Sequence, residues 1–262
     1  MKYEFINKGR EHLHLLDGKP LTGTSSIGNV LAKPLTWWSA ELAAVECLET
    51  GEKIETIRQE YEDACNSGNK KAAIDELQKK YPQFKKARFA HFDKLKESAK
   101  GGTDLHAELE NWVKWKMGKS DKLIIQTDPK IQPFIEWADA NVKEFIASEA
   151  HCFDEGLWVG GITDCIAELN NGKLAIIDFK SSKEAYTNQF IQVAGYAIQT
   201  EKNGLFSEDG NHSKKLDKPI EVLIVVPFGA EVVEPSIRYD VESYKQGFRS
   251  AVVLYRLLGL EK

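Results

Sequence analysis

The sequence predicts an α/β fold in which a central mixed β-sheet is flanked by helices, with a helical N-terminal elaboration. Helical spacing of apolar residues dominates the chain up to about residue 145. After residue 150, short runs rich in Ile, Val and Leu alternate with further helical segments, which indicates a sheet covered by helices. A length of 262 residues and a hydrophobic content of 42% suit one ordinary domain. We therefore expect a single domain over residues 1–262, with a helical insertion at about residues 50–100.

The first half of the chain is predicted to contain a loop followed by six helices. The loop covers residues 22–26, a short helix follows it and ends at Pro34, and the other helices cover residues 37–50, 53–66, 69–98, 104–117 and 133–145. Breaks are predicted near Pro82 and at Gly101-Gly102, because Gly and Pro are the strongest interruptions of a helical pattern. Thr103 is then placed to cap the helix that begins at residue 104.

The second half is predicted to alternate strands and helices. Strands at residues 158–168 and 173–179 form a hairpin, because the Asn170-Asn171-Gly172 run between them is a turn signal. The remaining predicted elements are a helix at 187–202, a surface loop at 203–218, strands at 221–227 and 231–239, and a closing helix at 241–258.

Three charged residues interrupt the apolar hairpin: Asp164 on the first strand, and Asp178 and Lys180 on the second. Antiparallel residues directly opposite each other share a face of the sheet. Asn171 is midway between the two aspartates, so a loop with an odd number of residues places them opposite each other. A two-residue turn would place them on different faces. We predict the odd loop, or a bulge that gives the same parity.

Two carboxylates side by side in a covered sheet are costly unless a cation compensates them. Carboxylate oxygens suit Mg²⁺ or Mn²⁺. Lys180 has the same side-chain direction as Asp178, so it can reach a phosphate oxygen or a water at the metal. This pattern predicts metal-assisted phosphodiester hydrolysis with Asp164, Asp178 and Lys180 as catalytic residues. The alternative, a surface Asp-x-Lys pair beside an unrelated aspartate, fits poorly with the apolar residues on either side.

Three motifs follow one another in this part of the chain. GGITD ends at Asp164, IIDFKSS contains Asp178 and Lys180, and the next helix carries Gln192 and Tyr196. This series resembles the PD-(D/E)XK nuclease superfamily, most closely its RecB-like, phage-type exonuclease branch. The resemblance implies a restriction-endonuclease-like core. It also implies that Gln192 and Tyr196, one helical turn apart, contact DNA and support the catalytic lysine.

An upstream histidine extends the resemblance. The run GTDLH ends at His106, in the Gly-Thr-x-x-His context that this branch uses for a metal ligand. The resemblance implies that the metal is coordinated by His106, Asp164, Asp178 and the main-chain carbonyl of Phe179, with Glu149 as an outer participant.

The N-terminal run LTGTSSIGNVLAKPLTWW loosely resembles the Thr/Ser-rich segment of phage members of the branch. Ser25 and Ser26 are therefore candidates for hydrogen bonds to a DNA phosphate, with helix capping as an equal alternative.

Some RecB-like nucleases hold an iron–sulfur cluster through four cysteines, but here the last cysteine is Cys165, so no cluster is expected. His12 and His14 alternate along the chain without completing a ligand set, so structural roles are expected for them.

The expected function is that of a Mg²⁺- or Mn²⁺-dependent deoxyribonuclease, most simply an exonuclease in DNA recombination, repair or phage DNA processing. The alternatives are an endonuclease of the same chemistry and a non-catalytic DNA-binding module on the same scaffold. DNA is the expected partner, with a recombination or repair protein as a further candidate. The formal net charge of -5 gives no argument for DNA binding from bulk charge, so this expectation depends on the motifs and on the resemblance.

The expected location is the cytoplasm, or the host cytoplasm if the chain comes from a phage. No apolar run approaches the roughly 18 residues that a membrane helix needs, and the first residues lack the apolar stretch of a secretory signal.

Overall fold

The computed structural model describes residues 1–8, 11–31, 39, 43, 54–66, 70–120, 129–229 and 233–260. The chain divides into two compact units: Met1–Ala32 with Gly102–Lys262 forms the first, and Lys33–Gly101 forms the second. The helix predicted at residues 37–50 lies outside the described residues except for Ser39 and Ala43. No helix among the described residues is both long and apolar enough to cross a membrane.

Eleven strands and seven α-helices are formed by the described residues. The strands are β1 Tyr3–Lys8, β2 Glu11–Leu16, β3 Lys19–Pro20, β4 Thr22–Gly23, β5 Val142–Asp154, β6 Val159–Leu169, β7 Leu174–Lys180, β8 Leu205–Phe206, β9 His212–Lys214, β10 Ile220–Pro227 and β11 Ser236–Arg238. The helices are α1 Thr24–Asn29, α2 Ile54–Asn66, α3 Lys70–Lys80, α4 Pro82–Lys116, α5 Gln132–Asn141, α6 Thr187–Asn203 and α7 Val241–Leu257.

A mixed sheet of eight strands forms the centre of the first unit. Its order is β11-β10-β7-β6-β5-β8-β9, and β4 pairs with β6 beside this path. β7 pairs with β10 in parallel, and β4 with β6 in parallel, whereas the other neighbours in the order are antiparallel. The predicted α/β class with a central mixed sheet is therefore confirmed.

Helices cover both faces of this sheet. Residues 102–116 of α4 and helix α5 pack on one face, where Leu109 and Phe134 are buried. Helix α6 packs on the other face through Phe190, and α1 and α7 pack beside it around Phe248. Full burial of such large side chains contributes roughly 1.5–3 kcal/mol each, so these contacts fix the helices on the sheet.

The predicted hairpin register is confirmed. β6 pairs with β7 from Cys165↔Ile177 to Glu168↔Leu174, and one further step places Asp164 opposite Asp178. Residues 170–172 form the odd loop, closed by a hydrogen bond of 2.9 Å from the Leu169 N–H to the Lys173 carbonyl. Gly172 has φ +81°, a left-handed conformation that glycine adopts at little cost.

The predicted helix break at Gly101-Gly102 is wrong. Helix α4 is continuous from Pro82 to Lys116, so Thr103 lies inside the helix and begins no new one. Two glycines in a helix interior cost about 1 kcal/mol each relative to alanine. The burial of Leu109, two turns later in the helix, offsets part of that cost.

The helix predicted at residues 133–145 is too long. α5 ends at Asn141, and the chain continues directly into β5, a strand that the sequence pattern did not predict. The first half of β5 contains two register irregularities, and its last five residues are all buried. A strand of this kind lacks the strict alternation of apolar and polar residues that indicates β-structure.

Other differences concern short strands. Residues 22–26, predicted as a loop, form β4 and the start of α1. Residues 203–218, predicted as a surface loop, contain β8 and β9, which extend the sheet beyond β5. The small antiparallel sheet β1-β2-β3 was not predicted at all.

The second unit is described at α2, α3 and the first part of α4. Helices at about the predicted positions 53–66 and 69–98 are confirmed, with the break at Tyr81, just before Pro82. The Tyr81 hydroxyl donates a hydrogen bond of 2.7 Å to Glu60, which links this break to α2.

Candidate metal centre

The sheet forks at β6, and the fork creates the candidate site. At its start β6 pairs with β4, through Thr22↔Val159 and Gly23↔Gly160, and from Cys165 onward it pairs with β7. Asp164 lies at the point where β6 joins β7. Its Oδ2 atom accepts a hydrogen bond of 2.7 Å from the Phe179 N–H, so the carboxylate extends between the two strands.

Three carboxylates lie side by side across three neighbouring strands. The β5–β6 pairs Ser148↔Cys165 and Ala150↔Thr163 bracket Glu149, which is therefore opposite Asp164. Asp178 is opposite Asp164 on its other side. Glu149 has φ +52°, an uncommon conformation for a residue other than glycine, and such strained backbone is concentrated at functional sites.

An imidazole from helix α4 joins these carboxylates. His106 Nε2 lies 3.3 Å from Asp164 Oδ2. One potential ligand atom from each of His106, Glu149 and Asp164 lies within 4.8 Å of the other two. The His106 ring meets Phe179 edge-on at 5.8 Å between ring centroids, which fixes its orientation. The structure therefore brings the predicted ligands His106 and Asp164 together, with Glu149 as an equal third member.

Asp178 and Lys180 form the second part of the site. Lys180 Nζ lies 2.6 Å from Asp178 Oδ2, on the same side of β7. Apart from this ammonium, Asp178 Oδ2 has no polar partner among the described residues, and Asp178 is only 1% exposed. This oxygen is therefore a buried acceptor with unused capacity.

The carboxylates repel one another in this covered position. Burial, followed by the charge of Asp164, raises the pKa of Asp178 to about 6. Burial, and then the charges of Asp164 and Glu110, raises the pKa of Glu149 to about 7. Burial is the largest cause of both shifts and neighbouring carboxylates add to it, and a bound divalent ion would favour the charged form of each carboxylate.

The two cationic groups retain their protons when only the protein is present. Burial lowers the pKa of His106, but the hydrogen bond and charge of Asp164 outweigh burial and raise that pKa to about 9. Burial likewise opposes the charge of Lys180, yet Asp178 and Asp164 raise its pKa above the ordinary value. His106 must therefore lose a proton before it can bind a metal, whereas Lys180 remains an ammonium.

The donor set fits a divalent cation. It offers one imidazole and carboxylate oxygens from three strands, including Oδ2 of Asp178, which the Lys180 ammonium contacts. Hard oxygen ligands with one imidazole suit Mg²⁺ or Mn²⁺. The contact shown for Phe179 is its N–H donating to Asp164, and the ligand role of its carbonyl stays a prediction.

The residues predicted to support DNA binding lie next to this centre. The Gln192 side chain donates a hydrogen bond of 2.8 Å to the Tyr196 hydroxyl on α6. Tyr196 is buried, and after burial the charges of Asp178 and Asp164 are the main causes that raise its pKa. Ser25 and Ser26 lie in the first turn of α1 and line the same groove as Tyr196.

The sequence predicts only an outer role for Glu149 at the metal, whereas the structure places its carboxylate beside His106 and Asp164. Its position depends on β5, which the periodicity did not predict. The β5–β6 turn covers residues 155–158, whose centre is midway between Glu149 and Asp164, and its Glu155-Gly156 pair was the available signal for a second hairpin. A four-residue loop at that point would have placed the two carboxylates opposite each other.

Comparison with known proteins gives no relative from which a role could be transferred. A scan against protein-family models found no matching family, and a search of curated proteins found no match. The function is therefore inferred from the residues and the geometry of the site.

Proposed function

We propose that this chain is a metal-dependent deoxyribonuclease that hydrolyses DNA phosphodiester bonds at the fork between β6 and β7. The observation that carries the proposal is the convergence of His106, Glu149 and Asp164, with Asp178 and Lys180 on the neighbouring strand. Carboxylates, an imidazole and an ammonium are the groups that metal-assisted phosphoryl chemistry requires. The resemblance of the Asp164, Asp178-x-Lys180 and Gln192-x-x-x-Tyr196 series to PD-(D/E)XK nucleases supports the same chemistry and a restriction-endonuclease-like core.

His106, Glu149, Asp164 and Asp178 would hold Mg²⁺ or Mn²⁺. When bound, such an ion supplies neutralisation of phosphate charge and activation of water at neutral pH. Asp164 orients His106 through their 3.3 Å contact. It also accepts a hydrogen bond from the Phe179 N–H, which connects β6 to β7 at the site. These contacts preorganise the ligands on two strands and a helix.

Lys180 has the role of an electrostatic stabiliser. Asp178 and Asp164 raise its pKa against the effect of burial, which favours the protonated ammonium in the metal-free protein. Asp178 holds its ammonium at 2.6 Å, within the reach of a phosphate oxygen next to the carboxylates. A fixed ammonium at this position stabilises the negative charge that develops on the phosphate during hydrolysis.

An exonuclease acting in DNA recombination, repair or phage DNA processing is the form of this activity that the motif resemblance favours. End-labelled linear DNA and covalently closed circular DNA, each incubated with Mg²⁺, Mn²⁺ or EDTA, test the activity and its mode. We expect degradation of linear DNA with either metal, none in EDTA, and intact circles.

Variants connect that activity to the site. We expect Asp178→Asn and Lys180→Gln each to slow cleavage by about 100-fold or more, because each removes a charge that acts at the phosphate. Lys183→Gln is the matched control, since Lys183 is an exposed lysine three residues further along. Cleavage in EDTA, or full activity of both site variants, would contradict the proposal.

A further inference from the structure

Three of the six histidines meet where the small sheet contacts the central sheet. His12 and His14 are two residues apart on β2, so their side chains lie on the same face of that strand. His151 comes from β5 of the central sheet. We call these three residues the histidine cluster. The sequence offered only the pair on β2, and the fold supplies a third imidazole from a strand more than a hundred residues away.

One aromatic ring contacts all three members of the histidine cluster. The ring centroid of Phe5 lies 5.6 Å from that of His12, 5.2 Å from that of His14 and 4.4 Å from that of His151. Burial, followed by the charges of His151 and His12, lowers the pKa of His14 to about 4. The three imidazoles are therefore close enough to act on one another. At neutral pH His14 is uncharged, which is the form of histidine that binds a metal.

The Tyr3 hydroxyl orients the two buried imidazoles. It lies 2.6 Å from Nδ1 of His14 and 3.3 Å from Nδ1 of His151. When Nδ1–H donates to an oxygen, the ring presents the lone pair of its Nε2 atom, as metal-binding histidines commonly do. Neither Nε2 atom has a hydrogen-bond partner among the described residues, and neither is fully buried. Each of these two rings can therefore offer Nε2 to a ligand.

A groove of about 700 Å³ gives access to the histidine cluster, because His12 and His14 line it. No lysine or arginine is among the described residues that line this groove, so no fixed positive charge repels a cation there. No aspartate or glutamate is among them either, and Mg²⁺ prefers such oxygen ligands. His12 is exposed, so its side chain can turn about its two torsions towards the other imidazoles.

We propose that the histidine cluster binds a borderline divalent ion of the Zn²⁺ class through His12, His14 and His151. Three imidazoles are a ligand set that zinc takes in proteins, with a fourth position left for water. The ion joins β2 of the small sheet to β5 of the central sheet, and Tyr3 is the positioning residue. This site is separate from the candidate metal centre, whose carboxylates suit Mg²⁺ or Mn²⁺.

Competition for Zn²⁺ against a chromophoric chelator at neutral pH tests the site. All proteins carry Asp164→Asn, so that the candidate metal centre has lost one of its carboxylates. We expect the Asp164→Asn protein to bind Zn²⁺, and the further change His12→Gln to weaken that binding by about tenfold or more, because one imidazole ligand is lost. His212→Gln is the matched control, since it removes an exposed histidine of β9 from the same background.

Two measurements locate the ion without relying on a cluster variant. The imidazole ¹H–¹⁵N signals of His12, His14 and His151 are expected to change together when one equivalent of Zn²⁺ is added, while those of His212 stay unchanged. Zn²⁺ is also expected to raise the thermal unfolding temperature of the Asp164→Asn protein, because an ion that binds only the folded state stabilises it. The same concentration of Mg²⁺ should leave that temperature unchanged.

Three results would overturn the inference: no Zn²⁺ binding by the Asp164→Asn protein, equal affinity after His12→Gln and His212→Gln, or spectral changes confined to histidines outside the cluster. No DNA enters these measurements. A failure of the nuclease proposal therefore leaves the histidine cluster standing, and an absence of Zn²⁺ binding leaves the nuclease proposal standing.

Discussion

Two histidines of the first unit, His106 and His14, have pKa values that are shifted in opposite directions. At the candidate metal centre, neighbouring carboxylates keep His106 protonated, whereas no carboxylate among the described residues acts on the pKa of His14, which is 7% exposed. The Tyr3 hydroxyl lies 2.6 Å from His14 Nδ1 and 3.3 Å from His151 Nδ1. A neutral His14 can accept a hydrogen bond from Tyr3, and a protonated His14 cannot.

This arrangement predicts a pH-dependent stability. Burial, followed by the charges of His151 and His12, lowers the pKa of His14 to about 4, against about 6.5 when unfolded. Between these values the unfolded chain binds more protons, so the free energy of unfolding falls as pH falls from about 6.5 to about 4. The loss at this one site is about 3 kcal/mol. Urea unfolding of wild type and His14→Gln across this range measures it.

The His14→Gln variant is expected to lose less stability than wild type over the same pH range, because glutamine does not titrate. His212→Gln is the matched control, since His212 is exposed on β9. Parallel stability curves for wild type and His14→Gln would contradict the assignment.

At the scale of elements, the β6–β7 hairpin determines which side chains share the site. Its three-residue loop fixes the parity that places Asp164 opposite Asp178. We expect Gly172→Ala to destabilise the protein by about 1 kcal/mol, because Gly172 has φ +81° and a non-glycine residue is strained there. No atom lies within 4 Å of the added Cβ, so the cost is conformational.

Denaturant unfolding of Gly172→Ala measures that cost, and nuclease activity of the folded variant should remain near wild type because the register is kept. Gly118→Ala is a comparison with the same left-handed φ outside the hairpin. A neutral or stabilising effect of Gly172→Ala would show that this turn does not restrain the hairpin.

The elements also show how far sequence reasoning reaches. Hairpin parity is a local property, so the spacing of Asp164 and Asp178 left two arrangements, and the prediction of an odd loop selected the one in which they are opposite. Strand β5 could not, because its irregular start and covered second half leave no alternation. Glu149 was consequently placed outside the ligand set. The helix break at Gly101-Gly102 was predicted from propensity, which tertiary packing overrides.

At the scale of the whole molecule, buried charge links elements that are distant in sequence. Lys245 on α7 is 4% exposed and lies 2.8 Å from both Glu201 on α6 and Glu242 one turn earlier. Glu201 also accepts a hydrogen bond of 2.7 Å from the Ile220 N–H at the start of β10. One ion pair therefore joins two helices and the sheet.

Removing this lysine should be costly. Lys245→Met leaves the Glu201 carboxylate without its cation, and we expect a loss of about 2 kcal/mol in the free energy of unfolding. Glu242→Gln is the matched control: its side chain is 78% exposed, so its loss should stay within about 0.5 kcal/mol. Equal effects of the two changes in urea unfolding would argue against a structural role for the buried pair.

Helix α4 and three strands each deliver a group to the candidate metal centre. Titration of metal-free protein with Mn²⁺, followed by the electron paramagnetic resonance signal of the free ion, examines that assembly without depending on any substrate. We expect saturable binding by wild type and binding about tenfold or more weaker in Asp164→Asn, which loses the carboxylate between His106 and Glu149. Equal Mn²⁺ binding by the two proteins, or none by wild type, would contradict the metal centre.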